Sequence, residues 1–408
     1  MADEIGFGLA EPRARAAGHA GRRQMAVCLL CTLLAALFPP MTISAGGQEN
    51  STGAVADGQA LPPSSTPAPS DQAGSPPRWT VSAEAIVLER IGGGVSYPLV
   101  SRVPGTVPFF KPPFYTATAP GVDAFNANQF RPGFSAGPKL SLRYRGDTGY
   151  GFELTYFNVF DQSDAKTIGP DTPRDWLVMK APGIFWQTQD FPYQGMRWSD
   201  ATNLYSAEAN GRMDLGSRIR LLAGVRWLRL NDNLEGTLTP ADRTAPTWKQ
   251  TNPADNIFQV TPGTTPAGNY PPFWTTGTTN NLYGVQIGVG AKILELDRFS
   301  LDGLVKIGLF DDNAEQSTGV SLRKTVFPSH ATTNHTAFVS EAGLQIKYQL
   351  AKGAALRAGY EVLWLDGIAL APGQIQETLT RANVRALGVN ARSTVLFQGA
   401  TFGLDYSF

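Results

Sequence analysis

Along several stretches of this chain, charged side chains recur at every second residue, the spacing that gathers them on one face of a β-strand. If those strands close into a barrel, that face lines the bore. The residues expected to line it are Arg143, Arg145, Glu153, Glu208, Arg212, Arg218, Arg220, Arg226, Lys306, Glu341, Arg357 and Glu361. Lys139, Lys292, Lys347, Glu84, Asp302 and Asp405 fall on the same faces. Two chemistries follow. Neighbouring opposite charges can fill a small bore with ion pairs and water. An uncompensated basic excess, densest from Lys139 to Arg226, favours the passage of anions. Glycines on the same faces, at 224, 284, 288, 343, 359 and 403, would leave free volume for a pore.

Other chemistry has little to build on. The only cysteines, Cys28 and Cys31, lie in the N-terminal apolar run, which leaves no thiol or intrachain disulfide after it. Beyond that run the histidines are His330 and His335. No Cys, Asp or Glu falls between Lys324 and Ala337 to complete the three or four ligands of a metal site. A serine-esterase barrel needs Ser, His and Asn on strand ends. An omptin-like protease needs rim acids and an Asp-x-His. Asp232, Asp311 and Asp312 are rim acids, but no Asp-x-His occurs. The expectation is no enzyme, no cofactor and no metal.

The strands that must position these residues are legible by their alternation. At the C-terminus Phe408, Tyr406, Leu404, Phe402 and Ala400 are apolar, while Ser407, Asp405, Gly403, Thr401 and Gly399 are small or polar. Such a strand suits lipid on one face and lumen on the other. The pattern repeats from Trp79 to Leu88, from Lys139 to Arg145 and from Tyr150 to Tyr156. It continues through three further pairs on either side of 214–217, 295–298 and 351–353. With the last strand this makes ten. Connections of a few residues, including Gly146-Asp147-Thr148-Gly149, alternate with long ones at about 90–137, 160–202, 231–280, 311–335 and 367–393. A transmembrane barrel sorts its loops in this way, short on the periplasmic side and long outside. The fold class read from this is all-β: an antiparallel up-and-down transmembrane barrel of about ten strands, with 8 to 12 open if the long loops add strands. Outer loops such as VPFFKPPFYTATAP, APGIFWQTQDFPYQGMRW and GNYPPFWTTG mix proline with aromatics, which can stack on sugars or fold over the barrel mouth.

Arg22 and Arg23 precede an apolar run from Met25 to Phe38, followed by small residues at Ser44 and Ala45. This reads as a signal peptide over 1–45, cleaved after Ala45. Residues 46–78, with LPPSSTPAPSDQAGSPP, are too poor in apolar residues to fold and read as a periplasmic linker. The barrel then occupies 79–408. The 34 basic and 34 acidic residues cancel, so no net field calls for nucleic acid. The expected partners are outer-membrane lipid and the barrel-assembly machinery, the latter through the strand ending at Phe408.

The segments LYSAEANGRMDLGSRIRLLAGVRWLRLNDNL, NNLYGVQIGVGAKILELDRFSLDGLVKIGLFDDNA and LRAGYEVLWLDGIALAPGQ resemble the putative beta-barrel porin family seven, found mostly in planctomycete bacteria. The resemblance covers about Trp79 to Phe408. It implies an outer-membrane barrel and carries over no binding or catalytic residue. Two functions remain open: a narrow channel for small polar or anionic solutes, and a closed structural or surface-display barrel acting through its loops or its tether.

Overall fold

The computed structural model describes residues 78–93, 97–103, 122–172, 176–179, 193–240, 247–252, 257–261, 274–322, 325–375, 377–379 and 385–408. The expected signal peptide and all but the last residue of the expected linker lie outside them. Ten strands form one closed barrel. In chain order they are β1 (Trp79–Gly92), β2 (Phe134–Arg145), β3 (Tyr150–Ile168), β4 (Tyr193–Leu215), β5 (Ile219–Pro240), β6 (Trp274–Leu296), β7 (Phe299–Leu322), β8 (Thr325–Ala351), β9 (Ala354–Ile368) and β10 (Ser393–Ser407).

Each strand pairs antiparallel with the next, and β10 returns to β1 in a register that aligns Ala83 with Leu404. Trp79 and Phe408 close the seam by exchanging backbone hydrogen bonds of 3.1 and 2.9 Å. Closure matters because hydrocarbon offers no partner to an unpaired strand edge. Gly149 and Gly353, at φ 81° and 87°, take the left-handed conformation that two of the tight turns demand.

The outward face carries an apolar belt. Leu154, Val225, Val285, Ile287, Leu309, Leu344, Ile346, Phe402 and Leu404 are exposed on it. Aromatic pairs bound the belt on both sides. Trp79, Tyr144 and Phe152 meet near the short turns, as do Phe299 with Tyr348. Phe160 meets Tyr205 and Phe338 meets Trp364 at the other edge. From Tyr348 to Phe338 is one crossing of the size a tilted strand needs.

Most strands run far beyond that crossing, which corrects the expected long connection at 311–335. The 23 residues of β6 rise about 75 Å along the strand, far more than the ~30 Å hydrocarbon core requires even when tilted. Between β7 and β8 the pairing continues unbroken to Leu322↔Thr325. The reason is chemical. Above Leu309 the outward positions Asp311, Asn313, Glu315 and Ser317 are polar, so the greasy/wet alternation that marks a membrane strand stops while the ladder does not. The barrel therefore stands well clear of the outer leaflet.

Candidate functional site

Among the described residues the charged side chains converge in the lumen, which is built in layers. Nearest the short turns, Asp405 receives Arg143 at 3.0 Å and Arg357 at 2.8 Å, and Ser82 bridges them. Arg212 meets Asp214 at 2.8 Å beside Arg145 at 2.9 Å from the same carboxylate. One level up, Lys306 contacts Glu208 at 2.6 Å and Glu341 at 3.1 Å, while Arg226 donates to Glu341 at 2.6 Å. Lys139 pairs with Glu361 across the bore. Opposite charges thus face each other at most lumen positions, the first of the two chemistries the spacing allows.

The expected lumen residues come together with one clear exception. Glu153 and Arg220 face inward on β3 and β5 with the paired residues above, and Arg145 sits half exposed at the end of β2. Arg218 is corrected: it belongs to the turn before β5 and is exposed, because the strand starts one residue later than the alternation suggests. The lumen glycines are corrected too. At Gly284 the Phe310 ring lies 2.5 Å from where a Cβ would stand, and at Gly403 Glu84 lies at 2.6 Å. At Gly224, Gly284, Gly359 and Gly403 neighbouring side chains and the facing strand already occupy the volume those glycines were expected to leave, whereas at Gly343 a Cβ would meet nothing nearer than 3.5 Å.

Above the charged layers the bore is apolar. Leu88, Val159, Leu204, Leu228, Leu230, Leu282, Val339, Leu365 and Phe397 form one buried cluster across it. Leu204, Leu228, Leu230, Leu282 and Phe397 are 0% exposed, with none of their surface open to water. Each such side chain contributes about 1.5–3 kcal/mol by leaving water, which makes this layer a stable packed core.

A polar layer follows, clamping a segment that folds into the barrel after β9. Arg90 donates to Asp232 at 2.6 Å and meets Asp200 at 3.1 Å, with all three side chains nearly unexposed. Thr202 donates to Asp232 at 2.7 Å, and the Ala371 amide reaches its other oxygen at 2.9 Å. Asn280 holds Ala369 from both sides: its amide donates to the Ala369 carbonyl at 2.7 Å, and its carbonyl accepts the Ala369 N–H at 2.7 Å. The 3-10 turn Ala371–Gln374 is wholly buried, with Pro372 as its second residue. Above it a second apolar cluster includes Leu99, Phe125, Leu177, Trp198, Leu234, Trp274 and Ile375. Its strands Pro98–Val103, Val122–Asn126 and Trp176–Met179 form a three-stranded sheet. Trp198 and Trp274 are therefore core residues of this cap, which settles the folded-over reading for those two loop aromatics. VPFFKPPFYTATAP lies outside the described residues.

The polar layer stands above the membrane belt, where the outward neighbours of Asp200 on β4 are Ser199 and Ala201. Burial, and then the adjacent Asp232 carboxylate, pushes the Asp200 carboxyl up to about 7. Burial, then Asp311, likewise raises Asp312 to about 7. An acid whose folded pKa exceeds its unfolded value of about 3.9 holds an extra proton in the folded state between the two. Stability at this group is therefore greatest on the acid side and falls as pH rises through that window. Asp200→Asn should flatten the decline in unfolding midpoint between pH 5 and pH 8, measured in urea with detergent-solubilised barrel. An undiminished slope would remove Asp200 as its source.

The family described as "Putative beta barrel porin-7 (BBP7)" matches residues 196–408, just over half the chain. This chain belongs to the beta barrel porin-7 family. No curated protein matches this family member. Among solved structures it is similar to the outer membrane protease OmpT of Escherichia coli, at 10% identity over 82% of this chain and 98% of that one, with a TM-score of 0.43. The translocator domain of the autotransporter NalP from Neisseria meningitidis matches at 10% identity over 81% and 89% of the two chains, TM-score 0.34. The toluene transporter TodX of Pseudomonas putida matches at 10% over 82% and 91%, TM-score 0.27.

The presence of a protease among these matches corrects the expectation that the chain is no enzyme. That expectation rested on the missing Asp-x-His, and the test was too local. The barrel makes Asp312 and His335 direct cross-strand partners, 23 positions apart in sequence, with 3.6 Å between His335 Nε2 and Asp312 Oδ2, while the same nitrogen bonds the Gly367 carbonyl. Likenesses this distant transfer no activity to this porin-7 member. Among the described residues no cluster of three or more His, Cys, Asp or Glu could hold a metal.

Proposed function

We propose that this porin-7 member is a closed-bore outer-membrane barrel, acting through the surface it raises outside the membrane. The observation that carries this reading is the unexposed layer of Leu204, Leu228, Leu230, Leu282 and Phe397 across the lumen. Under the same proposal the chain is exported by a signal cleaved after Ala45, tethered by residues 46–78 and inserted by the barrel-assembly machinery through the strand ending at Phe408. The narrow anion channel is the second reading. The half of the bore nearest the short turns favours it, since its walls are polar and charged. The apolar layer stands across that route, and the basic side chains there face carboxylates.

The test is solute flux. Liposomes holding the folded barrel should release trapped glutamate or chloride no faster than empty liposomes. Release that scales with the amount of folded barrel would favour the channel.

A further inference from the structure

A groove of about 270 Å³ opens on the outward face of the barrel wall, across β4 to β7, beyond the apolar belt. Its position follows from register. Trp227 and Tyr283 are cross-strand partners at the edge of the belt. Arg229 is two residues further along β5, about 5 Å above Trp227 once strand tilt is allowed for. One level higher the ladder aligns Asn203, Asn231, Thr279 and Glu315. Higher again, Asn233 stands opposite Gly277, about 15 Å above Trp227. A headgroup layer adds roughly 5–8 Å to each side of the hydrocarbon. Arg229 therefore lies at phosphate depth, and the amides and hydroxyls lie just beyond it.

The lining is chemically uniform. Amide and hydroxyl groups with one carboxylate offer both donors and acceptors, which suits the hydroxyls of a sugar. Gly277 leaves the floor open: an added Cβ would come within 2.9 Å of the Asn233 Oδ1. Arg229 donates to the Asn231 Oδ1 at 3.2 Å and has no ion pair among the described residues. Its exposed guanidinium is left to take an oxyanion by forked hydrogen bonds. Glu315 sits a level away from it and near His330, 3.5 Å off.

We infer that this groove holds the headgroup of an outer-leaflet glycolipid whose sugar carries a phosphate. Arg229 takes the phosphate, and Asn203, Asn231 and Thr279 take the sugar. A lipid-borne sugar is favoured over a free one because the groove faces sideways over the leaflet and not up into the medium. The inference needs the barrel in a membrane but is indifferent to whether its bore conducts.

The test uses full-length barrel reconstituted in phosphatidylcholine bilayers doped with a phosphorylated disaccharide glycolipid, with retained lipid counted by native mass spectrometry. Folding is checked separately by the heat-dependent gel shift. The wild type should retain the phosphorylated glycolipid at least about tenfold over its dephosphorylated form, the factor that one good charge-assisted contact supplies. Arg229→Gln should abolish that discrimination, and Gly277→Leu, which fills the floor, should abolish retention of both forms. Three results would overturn the inference in folded protein: retention no better than phosphatidylcholine, retention unchanged in both variants, or equal binding of the acyl-free phosphodisaccharide, which would make the ligand a soluble sugar.

Discussion

Asp232→Ala is expected to destabilise the barrel by about 3–5 kcal/mol, the usual cost of removing one member of a buried ion pair. Asp232 accepts from Arg90, Thr202 and the Ala371 amide in a layer that water does not reach. Its loss leaves the Arg90 guanidinium with Asp200 and the Thr202 hydroxyl and frees the start of the inserted 3-10 turn. Urea unfolding in detergent should show a lowered midpoint. Limited proteolysis should gain a cut near residues 369–375, because their anchor has gone. Asp200→Asn, in the same layer, should leave that segment protected, since Asp200 bonds no part of it among the described contacts. Equal behaviour of the two variants would mean that Asp232 does not hold the segment.

The second large effect is expected at Glu341, within the membrane crossing. Its two oxygens serve Arg226 at 2.6 Å and Lys306 at 3.1 Å. Glu341→Ala leaves Lys306 its bond to Glu208 but leaves Arg226, among the described direct contacts, the Ser206 hydroxyl and the Phe157 ring, 5.9 Å from its centroid, with the Glu208 and Glu361 carboxylates further off. The cost should again be about 3–5 kcal/mol. Removing the whole pair, as Arg226→Met with Glu341→Leu, should recover most of it, because well-packed apolar replacements of a buried pair are often neutral or better. Additive losses in the double variant would show that the two side chains do not act as a pair.

The sequence carried the barrel in the places where two signals coincided. Between Tyr150 and Tyr156, or Tyr283 and Val289, an apolar outward residue alternates with a polar or small inward one, and lipid on one side with lumen on the other enforces that alternation. Above the belt the outer face meets water, both faces of β7 read polar, and the strand there looks like loop. Arg90, Asp200 and Asn280 were missed for this reason alone. Each continues the inward parity of its strand, Arg90 after Glu84 and Leu88, Asp200 before Ser206 and Glu208, Asn280 before Gln286.

The apolar packing of the bore was legible only in part. Leu228, Leu230 and Leu282 lie on the inward parity of their strands, where an apolar residue signals a packed lumen. The insertion of Ile368 to Ile375 could not be read from one stretch, because what holds it is spread over β1, β4, β5 and β6. Charge pairing in the lumen has the same character. The spacing put Arg226 and Glu341 on inward faces, but only the closed curve of the barrel makes them neighbours.

The central claim is that the folded barrel is sealed. It is tested most directly by current recorded across a planar bilayer containing purified full-length protein whose folding the gel shift has established. The account predicts a baseline without unitary steps at either polarity in neutral potassium chloride, because the layer of Leu204, Leu228, Leu230, Leu282 and Phe397 admits no water. Steady ohmic steps with anion preference, reduced by Arg220→Glu together with Arg226→Glu, would contradict it and restore the narrow channel.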